Sequence, residues 1–202
     1  MMKKIDITLY PKCKLEIIKA VKKGKTAVFP FDTVYGLIAD PFNFAAIHRI
    51  YEIKGRDYSK PIAMIFTSVE MLKDYISLSR EQEKFISDRT PGAYTFIISW
   101  QAKDRKKFSS QYQKLEKIGI RIPNHEFVLD FVKNISQPIA ATSANISGMP
   151  NCWSIDDFTL QMKNSEFKPN YVVDAGKLPT NPPSEVIDIS DPSSISTLRK
   201  YV

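Results

Sequence analysis

The stretch IGIRIPNHEFVLDFVKNISQPIAAT, residues 118–142, sets the class of fold. Its ends, IGIRIP and PIAAT, are apolar runs too short for helices and read as buried strands. Between them Phe127, Val128, Phe131 and Val132 share one face of an amphipathic helix. A strand that feeds a helix and returns to a strand builds a sheet with helices against its faces.

The same alternation extends upstream. In LEIIKAV, Leu15, Ile18 and Val21 fall at helical spacing, and Lys22 to Lys25 break the pattern around Gly24. Ala27 to Phe31 then reads as a strand, with Pro30 marking its end or a sheet edge. Asp32 to Gly36 is a polar turn opening into a second apolar stretch. Ile47, Ile50 and Tyr51 line a helical face, and PIAMIFT, residues 61–67, reads as a strand. Thr67 with Glu70 and Ser79 with Gln82 are spaced as capping boxes that start two short helices. Pro91-Gly92 turns the chain before the β-rich YTFIISW. Residues 101–117, with six Lys/Arg against two acids, read as an exposed loop.

Downstream, YVVD, SEVIDI and ISTLRK supply late strands, whose succession implies an antiparallel portion. The expected fold is α/β: a single domain over residues 1–202 with a twisted, mixed parallel and antiparallel sheet and flanking helices. AGKLPTNPPS, residues 175–184, comes nearest to a linker, but too little follows it to fold alone.

A chain of 202 residues, 43% hydrophobic and 25% charged, suits one globular domain. No apolar run approaches the ~18 residues of a membrane span, and MMKKIDITLYPKC lacks the apolar core of a signal peptide. A cytoplasmic location without membrane contact is expected. Cys13 and Cys152 lack metal or redox spacing and read as small apolar groups. The net charge of +7 favours anions, whether nucleotide phosphates, RNA or acidic neighbours.

Several signatures fail. Gly24-Lys25-Thr26 precedes a strand instead of opening a helix, and Lys19 stands where a phosphate loop needs glycine. His48 and His125 lack partners at an informative spacing, which removes triad and zinc hydrolases. Without G-x-G-x-x-G no redox cofactor is expected. What remains is Lys54, Arg56 and Lys60 at a helix-to-strand junction, a set that suits a polyphosphate but taken alone reads more readily as a solvated helix terminus. Thr142-Ser143-Ala144-Asn145 follows a strand, where open α/β sheets place ligand loops.

PFDTVYGL (30–37), KGR followed by KP (54–61), PGAYTF (91–96), IGIRIP (118–123), TSANISG (142–148) and PSEVIDI followed by LR (183–199) together resemble the YrdC-like family of threonylcarbamoyl-AMP synthases, over roughly residues 12–200. The resemblance implies a nucleotidyltransferase that combines L-threonine, bicarbonate and ATP into threonylcarbamoyl-AMP and pyrophosphate. Mg2+ is then expected through the ATP phosphates, with no protein metal site. A separate tRNA threonylcarbamoyl transferase would carry the group to adenosine 37 of tRNA. It further implies that Thr33, Arg121, Ser184 and the backbone near Ala141 hold threonine, Arg121 pairing with its carboxylate. Lys54, Arg56, Lys60, Ser143, Asn145 and Arg199 would surround ATP, with Lys54, Arg56, Ser143 and Asn145 carrying the catalysis.

The chain departs from the family pattern at PGAYTF, Ser184-Glu185, Ile65 and Lys117, and the C-terminal extension of longer members is not expected after Val202. Two alternatives stay open: a YciO-like relative with different nucleotide chemistry, and a non-catalytic binder of tRNA or double-stranded RNA.

Overall fold

Ten strands form one sheet in the computed structural model, which describes residues 2–200. They are β1 (Lys3–Asp6), β2 (Ala27–Phe29), β3 (Gly36–Ala39), β4 (Ala63–Ile65), β5 (Tyr94–Ser99), β6 (Lys117–Arg121), β7 (Ile139–Ser143), β8 (Tyr171–Asp174), β9 (Glu185–Asp188) and β10 (Ser196–Arg199). The order across the sheet is β1-β8-β2-β3-β7-β4-β6-β5-β9-β10. Four neighbouring pairs, β1/β8, β2/β8, β4/β6 and β5/β9, run parallel, and the other five antiparallel. The expected mixed α/β sheet is therefore present, as is the antiparallel β9/β10 pair. Met1, Tyr201 and Val202, the ends of the expected domain, lie outside the described residues.

The helices are α1 (Tyr10–Lys22), α2 (Phe44–Lys54), α3 (Val69–Tyr75), α4 (Arg80–Ser87), α5 (Ala102–Arg105), α6 (Ser110–Gln113), α7 (Glu126–Ile135) and α8 (Ile155–Gln161). Strand alternation divides the core between them. Val28, Leu37, Met64, Phe96, Ile120, Ala140 and Val172 point to one face, where they pack with Ile47 and Ile50 of α2, Leu72 of α3, Ile86 of α4 and Phe158 of α8. Ala27, Phe29, Ile38, Ile65, Ile139, Ala141 and Val173 point to the other, against Ile17, Ile18 and Val21 of α1 and Val128, Phe131 and Val132 of α7. Each fully buried aliphatic or aromatic side chain contributes about 1.5–3 kcal/mol.

The second face is only half covered. Helices α1 and α7 shield the sheet as far as Ile65 of β4. Beyond it, Ala63, Gly119, Thr95 and Val186 carry on the same face of β4, β6, β5 and β9 and line a cavity instead of a core. The 175–184 segment leads from β8, second in the sheet, to β9, ninth. Seven strand steps span about 34 Å, close to the reach of ten extended residues. The segment nearest in composition to a linker is thus a strap across the sheet.

Other expectations shift. Leu15 is exposed, because Tyr10, Ile17, Ile18 and Val21 form the buried stripe of α1 and Leu15 falls on its flank. The cap of α3 is Ser68, whose hydroxyl accepts from the amide of Met71, while the Thr67 hydroxyl turns to the Met71 sulfur; the box at Ser79 and Gln82 forms as spaced. Residues 101–117 are not a loop: α5 and α6 lie there, with Asp104, Phe108, Ser109 and Tyr112 buried. The strands β6 and β7 flanking α7 are both paired to β4, one parallel and one antiparallel, so that unit returns antiparallel. Strands β1 and β3 and helix α8 were not foreseen.

Candidate active site

The uncovered half-face opens as a cavity of about 400 Å³. Its floor is made of small residues, Gly36, Ala63, Gly119 and Ala141, at sheet positions where larger side chains would fill the space. A Cβ on Gly119 would lie 3.2 Å from the Ala63 Cβ and 3.3 Å from the Thr95 Cγ2, and one on Gly36 would strike the Phe31 ring. Phe31 lies over Gly36 and forms part of the wall.

The DTVYGL run divides its residues among distinct tasks. Asp32 accepts from the Arg121 guanidinium and, through its other oxygen, from the amide of Asn124 at 3.2 Å. Thr33 lies 3.3 Å from the NH1 atom of Arg121, and both line the cavity. The buried Tyr35 hydroxyl donates to the carbonyl of Gly176 at 2.8 Å and accepts from the amide of Ala175 at 2.9 Å, fastening the start of the strap. Burial pushes that phenol up to about 12, so it stays a neutral donor.

A second group gathers where the strap ends. The Ser184 hydroxyl is 2.8 Å from that of Thr95, and Arg199 donates to the carbonyl of Ser184 at 3.0 and 2.7 Å. Ahead of β4, Gly55 closes α2 in the left-handed region at φ 55°, a conformation glycine adopts without steric cost. The chain then turns so that Arg56 is held by the carbonyls of Lys60 and Pro61, at 3.4 and 3.2 Å. Arg56, Lys60, Ser143 and Arg199 all line the cavity with Thr33, Arg121, Ala141 and Ser184.

Lys54 and Asn145 are not in that lining. Lys54 is 2% exposed, which rules out the solvated helix terminus as its setting. Its ammonium donates to the carbonyls of Ser143 (2.5 Å) and Asn145 (2.7 Å) and to the Asn145 side-chain oxygen (3.0 Å). The same oxygen accepts from the Ser143 hydroxyl at 2.6 Å, and the Asn145 amide donates to Met149 at 2.7 Å. The pair therefore shapes the loop that presents Ser143. Burial, with the Arg56 guanidinium nearby, pushes Lys54 down to about 7.

The sequence reading passed over Asp32, Phe31, Thr95 and Asn151. Asp32 stood inside the diagnostic PFDTVYGL run and Thr95 inside PGAYTF, so position within a motif was the available signal. Asn151 had none. Ile65 lines the floor, whereas Lys117 pairs with Asp188 at 3.0 Å away from it. Burial raises the Cys152 thiol to about 12 and lowers His125, which argues against either as an ionised group at neutral pH. Among the described residues, no three His, Cys, Asp or Glu side chains gather into a metal site, and no helix is long and apolar enough to cross a membrane.

The Sua5_yciO_yrdC family profile, described as "Telomere recombination", matches residues 19–200. The threonylcarbamoyl-AMP synthase of Vibrio campbellii is 30% identical over 150 residues, which cover 73% of this chain and 80% of the relative. The crystal structure of P. abyssi Sua5 complexed with L-threonine superposes with a TM-score of 0.84 at 26% identity, over 98% of this chain and 57% of that one. This chain thus spans little more than half the length of that protein. The E. coli YciO structure superposes with a TM-score of 0.82 at 20% identity, over 100% and 96% of the two chains, a likeness of fold.

Proposed function

Since the chain belongs to the Sua5, YciO and YrdC family, we propose that it is a nucleotidyltransferase that forms threonylcarbamoyl-AMP and pyrophosphate from L-threonine, bicarbonate and ATP. The observation that carries this reading is a single cavity lined by two differently built sets of cationic side chains. Arg121 with Thr33 suits an amino-acid carboxylate, and Arg56, Lys60 and Arg199 suit a polyphosphate. The complex of the P. abyssi relative with L-threonine supports threonine as the amino acid.

The proposed course begins with attack of the neutral threonine amine on bicarbonate, in which the N–C bond forms, a C–O bond breaks and water leaves with the amine proton, or on CO2, in which only that proton is lost, and either gives a carbamate. A carbamate oxygen then attacks the α-phosphorus of ATP, and the bond to the bridging oxygen breaks to release pyrophosphate. Both partners are anionic, so the cavity has to hold them together and offset their charge. Fixed orientation alone can supply about 7–11 kcal/mol of such a barrier. Arg56, Lys60 and Arg199 offset charge on the phosphate oxygens, and the Ser143 hydroxyl joins them by exchanging its bond to Asn145 for one to phosphate. Mg2+ belongs to this scheme as part of the nucleotide substrate. The product would pass to a tRNA-modifying transferase.

The test is pyrophosphate release from purified protein with ATP, Mg2+, bicarbonate and threonine, omitting each in turn and repeating with Arg56→Ala. Strict dependence on threonine and bicarbonate, lost in the variant, is expected. Folded protein that binds nucleotide but leaves ATP intact would sink the reading.

A further inference from the structure

The cationic side chains of the cavity differ in what holds them. Arg56 and Arg199 are held by carbonyl oxygens, of Lys60, Pro61 and Ser184, which leave their charge in place. Arg121 is held by a carboxylate, that of Asp32, and the pair is largely buried. Asp32 itself is fixed from two further directions. Its second oxygen accepts from the Asn124 amide just beyond β6, and its backbone carbonyl accepts from Asn181 of the strap at 3.0 Å. Arg121 and Thr33 line the cavity, whereas Asp32 lies outside the lining. The carboxylate therefore grips the guanidinium from behind, with the NH1 atom beside the Thr33 hydroxyl.

We propose that Asp32 is a positioning and selectivity residue: it presents Arg121 to the amino-acid carboxylate and, by cancelling its net charge, keeps nucleotide phosphate from binding there. This rests on the synthase reading above. The physical ground is charge matching. A guanidinium stays protonated at any working pH, and an uncompensated one in a mostly buried site attracts a multiply charged phosphate more strongly than a single carboxylate. Paired with Asp32, it offers directional hydrogen bonds with little net charge, which suits the carboxylate of a zwitterion. Arg56 and Arg199, with neutral acceptors, keep the full attraction for polyphosphate. One cavity can thereby hold two anionic substrates without exchanging their places.

The experiment is isothermal titration of the wild-type protein and of Asp32→Asn with threonine, with ATP, and with pyrophosphate in the presence and absence of threonine. In the wild type, pyrophosphate should leave threonine affinity unchanged. In Asp32→Asn, pyrophosphate should compete with threonine, threonine affinity should fall about tenfold, and ATP affinity should change less than threefold. Asn181→Ala, which removes a tether but keeps the carboxylate, should retain the wild-type discrimination. Weaker threonine binding in Asp32→Asn without pyrophosphate competition, or an equal loss for threonine and ATP, would mean a merely structural part and overturn the proposal. The same loss of discrimination in Asn181→Ala would also overturn it. A wild type that binds pyrophosphate but never threonine would refute the synthase reading, and this proposal with it, a result distinct from a threonine-binding wild type that Asp32→Asn leaves unaltered.

Discussion

The Lys54 ammonium touches Asn145 twice, at the backbone carbonyl (2.7 Å) and at the side-chain oxygen (3.0 Å), and so builds a cavity wall from outside the cavity. Removing the ammonium strands these acceptors and the Ser143 carbonyl in a buried place, where a lost charged partner leaves desolvated groups unpaired. Lys54→Met is expected to lower stability by about 2–4 kcal/mol, the range of such losses. It should also weaken ATP binding, because Ser143 loses its support. Urea unfolding and ATP titration measure the two effects.

Lys54 also gives a pH signature. It sits at about 7 in the folded protein, against about 10.4 in an unfolded chain. Between these values the unfolded chain holds a proton that the folded one has released, so this contribution to stability grows as pH rises and is lost as pH falls through about 7. The stability difference between wild type and Lys54→Met should move in favour of wild type from pH 6.5 to 9.5. A difference that stays level would show that the three oxygen acceptors keep the ammonium charged despite its burial.

Gly119 tests the floor. Its missing side chain leaves the space between Ala63 and Thr95, in a strand whose neighbours carry its hydrogen bonds on both sides. Gly119→Val suits a strand backbone but fills the floor. It is expected to cost no more than about 1–3 kcal/mol of stability, the usual range of overpacking, while lowering the affinity for threonine or ATP at least tenfold. Ligand-induced shifts in Tm separate the two effects.

Much of the fold was legible because the apolar runs carry the right period. The 61–67, 94–100 and 118–123 runs hold the alternation that sends Met64, Phe96 and Ile120 to one face. Order across the sheet was not legible, since nothing local to β8 says that it inserts between β1 and β2. In the cavity, motif position led to Thr33, Arg56, Arg121, Ser143, Ser184 and Arg199. It did not reveal that Lys54 is buried, because a lysine at a helix end looks the same whether it meets water or three carbonyl-type oxygens. Asp32 escaped notice because its partner is 89 residues away.

The 101–117 segment shows the same limit and yields the last prediction. Charge count marked it as a loop, yet its six cations surround a buried framework. Phe108 stacks on Phe42 at 5.0 Å, the Tyr112 hydroxyl donates to the carbonyl of Ile62 at 3.1 Å, and Asp104 accepts from the Ser77 amide at 3.0 Å. Asp104 is 2% exposed and joins this segment to the residues after α3. Asp104→Ala leaves the Ser77 amide without that acceptor and is expected to destabilise the protein by about 1–3 kcal/mol. Lys106→Ala, at an exposed neighbouring position, should stay within about 0.5 kcal/mol, as surface substitutions do. Urea unfolding of the two variants decides the matter: equal, small effects would return the segment to the status of a loop, and a gap of 1 kcal/mol or more, on the order expected for a buried acceptor, would establish Asp104 as the clasp that holds α5 against the body of the fold.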